Sequence, residues 1–258
     1  MTTVGIIASP SAGKDVRRLV ANAGSIGDVD KISIIRRAAS GAIEVGARRL
    51  LYLDDTRHLV ERALNGLLKQ TEHTVLAERL DIPILGNSRD SICAAEALAK
   101  EAVPAVLVFG GDGTNRDVTK GWQDAPVVPL SVGTNNVFPL SIEPTLGGAA
   151  AGLVAVGEIA LEAVAERAKV IHVDFEDREN DRALVDVVLT EGSFIGSRAI
   201  WDPSDLRSAV FAICEPATVG LSSIGAVLAN IPRNKASGLY VEMGESDKSV
   251  RAPMAPGS

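Results

Sequence analysis

Residues 105–118 have the sequence AVLVFGGDGTNRDV, in which an unbroken apolar run leads into glycines that flank one aspartate. Apolar runs without alternation are typical of parallel strands that are covered on both faces. We therefore expect a buried strand over residues 105–109, a glycine-rich loop directly after it, and a helix that opens at residues 115–118.

The chain on both sides of this stretch alternates between strand and helix patterns. Apolar runs predict strands at 4–8, 50–53, 75–77 and 127–132, and helical spacing predicts helices near 32–43, 55–67, 88–100 and 146–165. Such alternation is typical of an open parallel sheet with right-handed crossovers. We therefore predict an α/β domain with an open parallel sheet over residues 1–143.

The pattern changes after this domain. Short alternating runs predict strands at 170–172, 184–189, 193–200 and 239–243, with a helical insertion near 205–212. We therefore predict that residues 144–258 form a linking helix and a mainly antiparallel, β-rich second domain. The last residues, 251–258, contain two prolines and one glycine and close no recognisable element, so we expect this domain to be incomplete at its C-terminus.

Composition excludes some classes of partner. Acidic residues outnumber basic ones by 33 to 26, the formal net charge is -7, and aromatic residues make up 3% of the chain. Nucleic-acid binding needs a basic surface and stacking rings, so we expect no nucleic-acid partner. The most apolar run, 146–165, is interrupted by Glu158 and Glu162, so we expect no membrane span and no membrane partner.

Cysteine and histidine usage indicates the compartment and the metal content. Cys93 and Cys214 stand far apart, and the N-terminus has no basic segment of the kind that begins a signal peptide. We therefore expect a cytoplasmic protein without a disulfide framework. The three histidines show no metal-ligand spacing, and we assign no metal ligand directly.

The glycine-rich loop is the strongest chemical signal. Backbone N–H groups exposed at the start of a helix bind phosphate, which makes a phosphate-binding loop of Gly110, Gly111, Gly113, Thr114 and Asn115. A carboxylate in such a loop would repel phosphate unless it holds a metal ion or accepts a proton. We therefore predict that Asp112 is a general base or a metal-linked carboxylate in phosphoryl transfer. The alternative is a tight turn in which Asp112 caps the helix.

Two further loops are expected at the same edge of the sheet, because the carboxyl ends of parallel strands meet there. The loop after the strand at 127–132 offers amide and hydroxyl groups suited to a nucleotide, from Gly133, Thr134, Asn135 and Asn136. The loop after the first strand offers hydroxyls, a glycine and a cation suited to phosphate, from Ser9, Ser11, Gly13 and Lys14. The alternatives are turn residues in the former loop and a solvated loop in the latter.

At these motifs the chain resembles a known superfamily. The sequences GGDGTNRDV at 110–118 and GTNNVFP at 133–139 are similar to those of the superfamily that joins ATP-NAD kinases, diacylglycerol kinases and sphingosine kinases. Within it they most resemble the ATP-NAD kinase-like proteins of the acetoin-catabolism X type. The common Gly-x-x-x-x-Gly-Lys-Ser/Thr and Gly-x-Gly-x-x-Gly nucleotide motifs are absent from the loop at 110.

The resemblance implies a fold, an activity and a set of ligands. It implies an NAD kinase-like fold and a kinase that uses ATP or polyphosphate with Mg²⁺ to phosphorylate the adenosine 2′-hydroxyl of NAD. Asp112 would be the base, and the two glycine loops would hold the nucleotides. An Asn-Glu pair contacts NAD in NAD kinases; Val185 and Asp186 stand nearest to it here, which makes Asp186 a candidate acceptor-binding residue. The resemblance also implies a homo-oligomer.

Two other functions remain open from the sequence. GTNN at 133–136 is close to the corresponding motif of diacylglycerol kinases, which makes a lipid kinase an alternative. No basic amphipathic segment suited to anionic lipid supports it. The other alternative is a catalytically weak nucleotide-binding regulator associated with acetoin catabolism.

Overall fold

A computed structural model describes residues 2–13, 26–133, 136–191, 205–216, 218, 220–244 and 249–252. Their contacts divide these residues into two compact units. The first unit holds residues 2–13, 26–133 and 139–165, and the second holds residues 136–138 and the described residues from Glu166 onward. The predicted boundary after residue 143 placed residues 144–165 with the second part, whereas their contacts group them with the first unit.

The first unit is an α/β fold built on one parallel sheet. Its strands are β1 (Thr3–Ala8), β2 (Arg49–Tyr52), β3 (Leu76–Arg79), β4 (Val106–Gly110) and β5 (Val127–Ser131). Its helices are α1 (Asp28–Glu44), α2 (Leu59–Leu68), α3 (Ser88–Lys100), α4 (Asp112–Gly121), α5 (Pro144–Val156) and α6 (Leu161–Val164). The strand order is β3-β2-β1-β4-β5 with every pairing parallel, which confirms the predicted open sheet.

Helices cover both faces of this sheet. One apolar cluster joins alternate side chains of β1 and β4, such as Ile6 and Leu107, to α1, α2 and α5. A second cluster joins the intervening side chains, such as Ile7 and Val108, to α3 and α4. Because both faces of the sheet are buried, neither face of β1 or β4 favours polar side chains, which explains why both sequences are almost entirely apolar.

Helices α1 and α5 approach each other through glycine. A Cβ added at Gly148 would lie 1.8 Å from the carbonyl oxygen of Ala38, and a Cβ added at Gly41 would lie 2.1 Å from that of Thr145. Both distances are far shorter than van der Waals contact, so the two backbones pack at a separation that only glycine permits.

The apolar run at 146–165 forms two helices, whereas the sequence predicts one. Gly157 follows α5 with a φ of 81°, and its N–H donates to the carbonyl of Val154. This left-handed glycine ends α5, as is common at helix C-termini. In the described part of the chain, no helix is both long and apolar enough to cross a bilayer.

The second unit contains small antiparallel sheets, as predicted. Its elements are β6 (Ile171–Val173), β7 (Asp181–Ala183), β8 (Asp186–Thr190), β9 (Leu206–Phe211), α7 (Ser222–Leu228) and β10 (Leu239–Glu242). Strands β10-β9-β8 form one antiparallel sheet, and β6 pairs with β7 in another. The predicted strand at 193–200 lies outside the described residues.

The predicted helix near 205–212 is wrong, because this segment is β9, the central strand of the three-stranded sheet. The pairing of β9 with β8 shifts register between Leu189 and Thr190, whose partners are Ser208 and Leu206. The extra residue puts Leu206 and Ala209 on buried positions three residues apart. A β-bulge therefore produced the apolar spacing that resembles a helix.

Candidate functional site

The strand order places a topological switch point between β1 and β4. The chain leaves β1 toward α1, on one face of the sheet, and leaves β4 toward α4, on the other. The two loops start side by side, since the N–H of Ser9 donates to the carbonyl of Phe109 at 2.9 Å. Ligands of open α/β sheets bind in the crevice at such a point.

The loop after β4 runs directly into α4. Gly111 is the N-cap residue, with extended backbone angles, and Asp112 is the first residue of the helix. The N–H groups in the first turn of a helix have no partner within that helix, and a glycine N-cap has no side chain to accept from them. The positive end of α4 therefore lies at the switch point, with one carboxylate beside it. The alternative interpretation of Asp112 as the cap is not supported, because Gly111 occupies that position.

Packing within the loop and its helix requires glycine at position 110 but not at position 113. A Cβ at Gly110 would lie 2.4 Å from Cβ of Thr114, so the packing of the loop on its own helix requires that glycine. Gly113 is exposed, and a Cβ there would meet nothing within 4 Å. No contact with the described residues therefore requires glycine at position 113, and the space beside it is open on their side.

Thr114 and Asn115, both predicted as binding residues, have buried side chains. Thr114 is 8% exposed and Asn115 is 2% exposed. Asn115 Nδ2 donates to the carbonyl oxygen of Gly111 at 2.9 Å, which ties the helix to the loop. Asn115 Oδ1 is buried and has no hydrogen-bond partner among the described residues. Buried acceptors of this kind are uncommon in folded proteins, where nearly all of them have a protein or water partner.

The loop after β5 begins next to the loop after β4. Ser131 is paired in register with Gly110, and its hydroxyl donates to the carbonyl of Gly133 at 3.2 Å. Thr134 and Asn135 lie outside the described residues. Asn136 belongs to the second unit. Gly133 therefore lies beside the loop after β4, as predicted. The nucleotide-binding roles of the loop after β5 stay predictions.

The loop after β1 reaches the end of β5 as well. Gly13 has a φ of 76°, and a Cβ there would lie 2.7 Å from the carbonyl oxygen of Val132. Ser9 is half-buried and Ser11 is exposed. Lys14 lies outside the described residues. The described parts of all three predicted loops thus meet at one edge of the sheet.

Lys31 lies near this edge, although the sequence patterns did not predict it as a residue of the site. It is 1% exposed, and its Nζ donates to the carbonyl oxygen of Pro10 at 2.9 Å. The signal was present, because Lys31 precedes Ile35 and Ala38 by four and seven residues on the apolar face of α1.

The predicted acceptor-binding residue, Asp186, is the first residue of β8 in the second unit. Its Oδ2 accepts a hydrogen bond from the Ser222 hydroxyl at 2.9 Å. The preceding residue, Val185, is 7% exposed and packs in an apolar cluster with Leu184 and Ile213. A role of Asp186 in acceptor binding stays a prediction.

One other cluster brings metal-ligand atoms together. Among the described residues, single ligand atoms of Asp54, His58 and Glu61 lie within 4.8 Å of one another. Arg79 forms salt bridges with both carboxylates, and His58 Nδ1 lies 2.9 Å from Asp54 Oδ1. The hydrogen bond to Asp54 raises the pKa of His58. Since cationic groups already pair with these carboxylates, we assign no metal to the cluster.

Arg233 binds the backbone of residues 137–138, which follow the loop after β5. Its guanidinium donates to the carbonyls of Val137 and Phe138 at 3.2 and 3.0 Å and to the Glu215 carboxylate at 3.0 Å. The hydrogen bond from Arg233 lowers the pKa of Glu215 below its usual value of 4.5. This clamp fixes residues 137–138 within the second unit.

The ion pair between Arg233 and Glu215 predicts that the stability of the protein depends on pH. A carboxylate whose pKa is lowered by folding stabilises the protein above its unfolded pKa, and this stabilisation is lost as the pH falls through the folded pKa. We expect Glu215→Gln to lower the free energy of unfolding at pH 7, and the difference from the parent to shrink as the pH falls below 4.5. Urea unfolding of the parent and the variant between pH 3 and pH 7 measures this difference, and Glu242→Gln, at an exposed glutamate, is the control. A difference that stays constant across this range would contradict the lowered pKa.

Comparison with known proteins defines the class first. Residues 34–159 match the family model described as "ATP-NAD kinase N-terminal domain". Together with the parallel sheet and the glycine loop at its switch point, this match identifies the first unit as an NAD kinase-like domain. It supports a kinase-like or nucleotide-binding role.

The family follows from the rest of the chain. Residues 169–258 match the family model described as "Acetoin catabolism protein X C-terminal domain". The chain is 34% identical over 264 residues to acetoin catabolism protein X of Cupriavidus necator, covering 98% of this chain and 74% of that protein. The chain belongs to the acetoin catabolism protein X family, which confirms the resemblance seen in the two glycine motifs.

Proposed function

We propose that this chain is a phosphotransferase that moves a phosphoryl group from ATP or polyphosphate to a hydroxyl of a small molecule. The proposed acceptor is the adenosine 2′-hydroxyl of NAD, and the product is then NADP. The observation that carries the proposal is the convergence of three loops at the switch point, with Asp112 at the first turn of α4. Fold alone does not define an activity, so the proposed activity rests on the residues of these loops.

The open space at Gly113 supports a phosphate ligand at this helix. Glycine within a helix costs up to about 1 kcal/mol relative to alanine. At Gly113 no atom of the described residues lies close enough to require that cost. A ligand that approaches the backbone N–H groups of the first turn would require it, because a Cβ would fill the space that the ligand needs.

Asp112 supplies the reactive group of the proposed reaction. Its carboxylate accepts the proton of the attacking hydroxyl while the new P–O bond forms and the bond to the leaving phosphate of the donor breaks. The N–H groups of α4 stabilise negative charge on the phosphoryl oxygens. Mg²⁺, when bound, neutralises part of that charge, and Asp112 is the carboxylate of this loop that can hold it.

The direct test is product formation. The purified protein is incubated with NAD, Mg²⁺ and either ATP or polyphosphate, and NADP is measured by chromatography with mass detection. NADP that requires both protein and phosphoryl donor supports the proposal. Donor consumption without NADP would reject NAD as acceptor, and parallel incubations with diacylglycerol in mixed micelles would then test the lipid kinase alternative.

A nucleotide-binding regulator is the second candidate, and Val185 favours it. The valine is buried among apolar side chains where NAD kinases have the asparagine that contacts NAD. A regulator would be stabilised against heat by ATP or NAD, since a ligand that binds the folded state shifts unfolding, but would form no phosphorylated product. Heat protection without turnover of any acceptor would therefore favour the regulator.

Gly113→Ala separates the stability of the loop from its function. We expect the variant to be as stable as the parent, or more stable by up to about 1 kcal/mol, because its Cβ meets no atom in the described part of the chain and alanine favours the helix. We expect its affinity for ATP to fall at least about tenfold, because the methyl group occupies the space beside the helix N–H groups. Calorimetric titration and thermal unfolding measure the two effects. Unchanged ATP affinity would show that no phosphate binds at Gly113.

A matched comparison is Gly110→Ala in the same loop. There the Cβ would overlap Thr114, so we expect lower stability as well as weaker binding. Only the Gly113 variant should lose affinity without losing stability.

A further inference from the structure

The segment that follows β5, residues 133–139, leaves the strand and then returns to it. At its start, the hydroxyl of Ser131 donates to the carbonyl of Gly133. At its end, the N–H of Leu140 donates to the carbonyl of Pro129 at 3.2 Å, and the carbonyl of Leu140 accepts from the N–H of Ser131 at 3.3 Å. Gly133 and Asn136, both predicted to contact a nucleotide, belong to this segment, so its conformation determines their positions.

Arg233 binds the backbone in the middle of the segment. Its Nη1 donates to the carbonyl of Phe138 at 3.0 Å and its Nη2 to that of Val137 at 3.2 Å. Its Nε and Nη2 donate to the two carboxylate oxygens of Glu215 at 3.3 and 3.0 Å. The planar guanidinium presents its N–H donors in a rigid fork, so one side chain binds two successive carbonyls and a carboxylate. A lysine ammonium does not have this geometry.

The backbone around Arg233 is itself held in place. Ile231 and Cys214 form an antiparallel bridge, in which each N–H donates to the carbonyl of the other residue at 2.8 or 2.9 Å. The carbonyl of Pro232, directly before the arginine, accepts from Nζ of Lys169 at 2.9 Å. The guanidinium therefore binds residues 137–138 from a position that its own neighbours fix.

Apolar packing alone does not set the direction of this backbone. Val137 and Phe138 are 8% and 9% exposed and pack in a cluster with Leu184 and Ile213. Burial of apolar surface is non-directional, whereas hydrogen bonds to a carbonyl depend on its orientation. The guanidinium therefore fixes the peptide planes at residues 137–138, and with them the direction in which the chain continues from Asn136.

We propose that Arg233 is a positioning residue that orders the segment 133–139 for the nucleoside part of a nucleotide. A segment that is ordered before binding loses less conformational freedom when the ligand binds, so its affinity is higher. The amide groups of this segment suit a ribose or a base, whereas the N–H groups of α4 suit the phosphates. The inference rests on the proposed function in that it assumes a nucleotide ligand.

The test compares ligands that have a nucleoside with one that has none. The affinities of ATP, NAD and inorganic tripolyphosphate are measured by calorimetric titration for the parent, Arg233→Lys and Glu215→Gln, at a temperature at which each is folded. We expect Arg233→Lys to lose about tenfold in affinity for ATP and NAD, and less than about twofold for tripolyphosphate. Glu215→Gln keeps the arginine but weakens its orientation. It should show the same selective loss on a smaller scale, and it answers the question if the lysine variant does not fold.

Two controls separate positioning from stability. Arg207→Lys removes a guanidinium from another ion pair of the second unit, the one with Glu191. Val241→Ala removes methyl groups from the apolar cluster around Phe211, to which residues 137–138 do not belong, and so lowers stability without changing the contacts of Arg233. Both variants should bind all three ligands as the parent does.

The outcomes separate this inference from the proposed function. Nucleotide affinities that stay unchanged in Arg233→Lys, or in Glu215→Gln if only that variant folds, would overturn the role of Arg233 and leave the proposed function in place. An equal loss for tripolyphosphate, or the same selective loss in Val241→Ala, would show a general structural effect and overturn the positioning role. A parent that binds neither nucleotide would overturn the proposed nucleotide function and this inference with it.

Discussion

Asp112→Asn is expected to lower the rate of NADP formation by about 10²- to 10⁴-fold, the range in which a general base contributes to catalysis. Asparagine has nearly the same shape as aspartate but does not accept the proton of the attacking hydroxyl. The fold should persist, since Asp112 is the first residue of α4 and Gly111, not Asp112, is its N-cap. The loss of a favourable charge at the helix start should lower stability by no more than about 1 kcal/mol.

The measurement compares initial rates at saturating ATP and NAD, with ATP affinity measured in parallel. A base acts in the chemical step, so kcat should fall much more than the affinity for ATP. Asp124→Asn changes the same charge at an exposed turn beyond α4 and should keep the rate of the parent. A variant at Asp112 that forms NADP at the parent's rate would exclude this carboxylate as the base.

Gly148→Ala is expected to cause the largest loss of stability among the substitutions considered. The added Cβ would lie 1.8 Å from the carbonyl oxygen of Ala38 and 2.5 Å from its carbonyl carbon. Backbone atoms do not rotate away as side chains do, so α1 and α5 must move apart. Overpacking of this kind costs about 3 kcal/mol or more, and we expect the midpoint of thermal unfolding to fall by roughly 6–12 °C.

The neighbouring glycine provides the matched control. A Cβ at Gly147 would lie 3.0 Å from Cδ2 of Leu130, the far end of a flexible side chain. The gain in helix propensity offsets that contact, so Gly147→Ala should change the free energy of unfolding by less than about 1 kcal/mol. Equal stability of the two variants would show that α1 and α5 do not pack through Gly148.

The apolar runs predicted the central strands because their burial has a local signature. Strands β1 and β4 are buried along their whole length, and apart from Thr3 at the start of β1 each is a continuous apolar stretch in the sequence. Gly157 ends α5 by an equally local signal, a left-handed glycine at a helix C-terminus, which the prediction of one helix over 146–165 did not use. Such features depend on a few consecutive residues, so they can be read without the fold.

Strand β9 shows where prediction from the local spacing of apolar residues fails. Its buried Leu206 and Ala209 are three residues apart because of a bulge opposite β8. The bulge is defined by the pairing with another strand, and a window of β9 alone does not contain it. The period of the apolar residues therefore pointed to a helix.

The candidate site, like the fold, was predictable from the sequence only in part. The glycine motifs, their places at strand ends and the class of protein they indicate follow from consecutive residues, because loop chemistry requires particular residue types in a short span. The tertiary structure decides that Gly110 is required by Thr114 while Gly113 faces open space, and that Lys31 is buried against Pro10. It also sets β1 beside β4 although they are distant in the chain. A local pattern reports that a residue is buried but not which partner buries it, because that choice is made by the packing of the whole sheet and its helices.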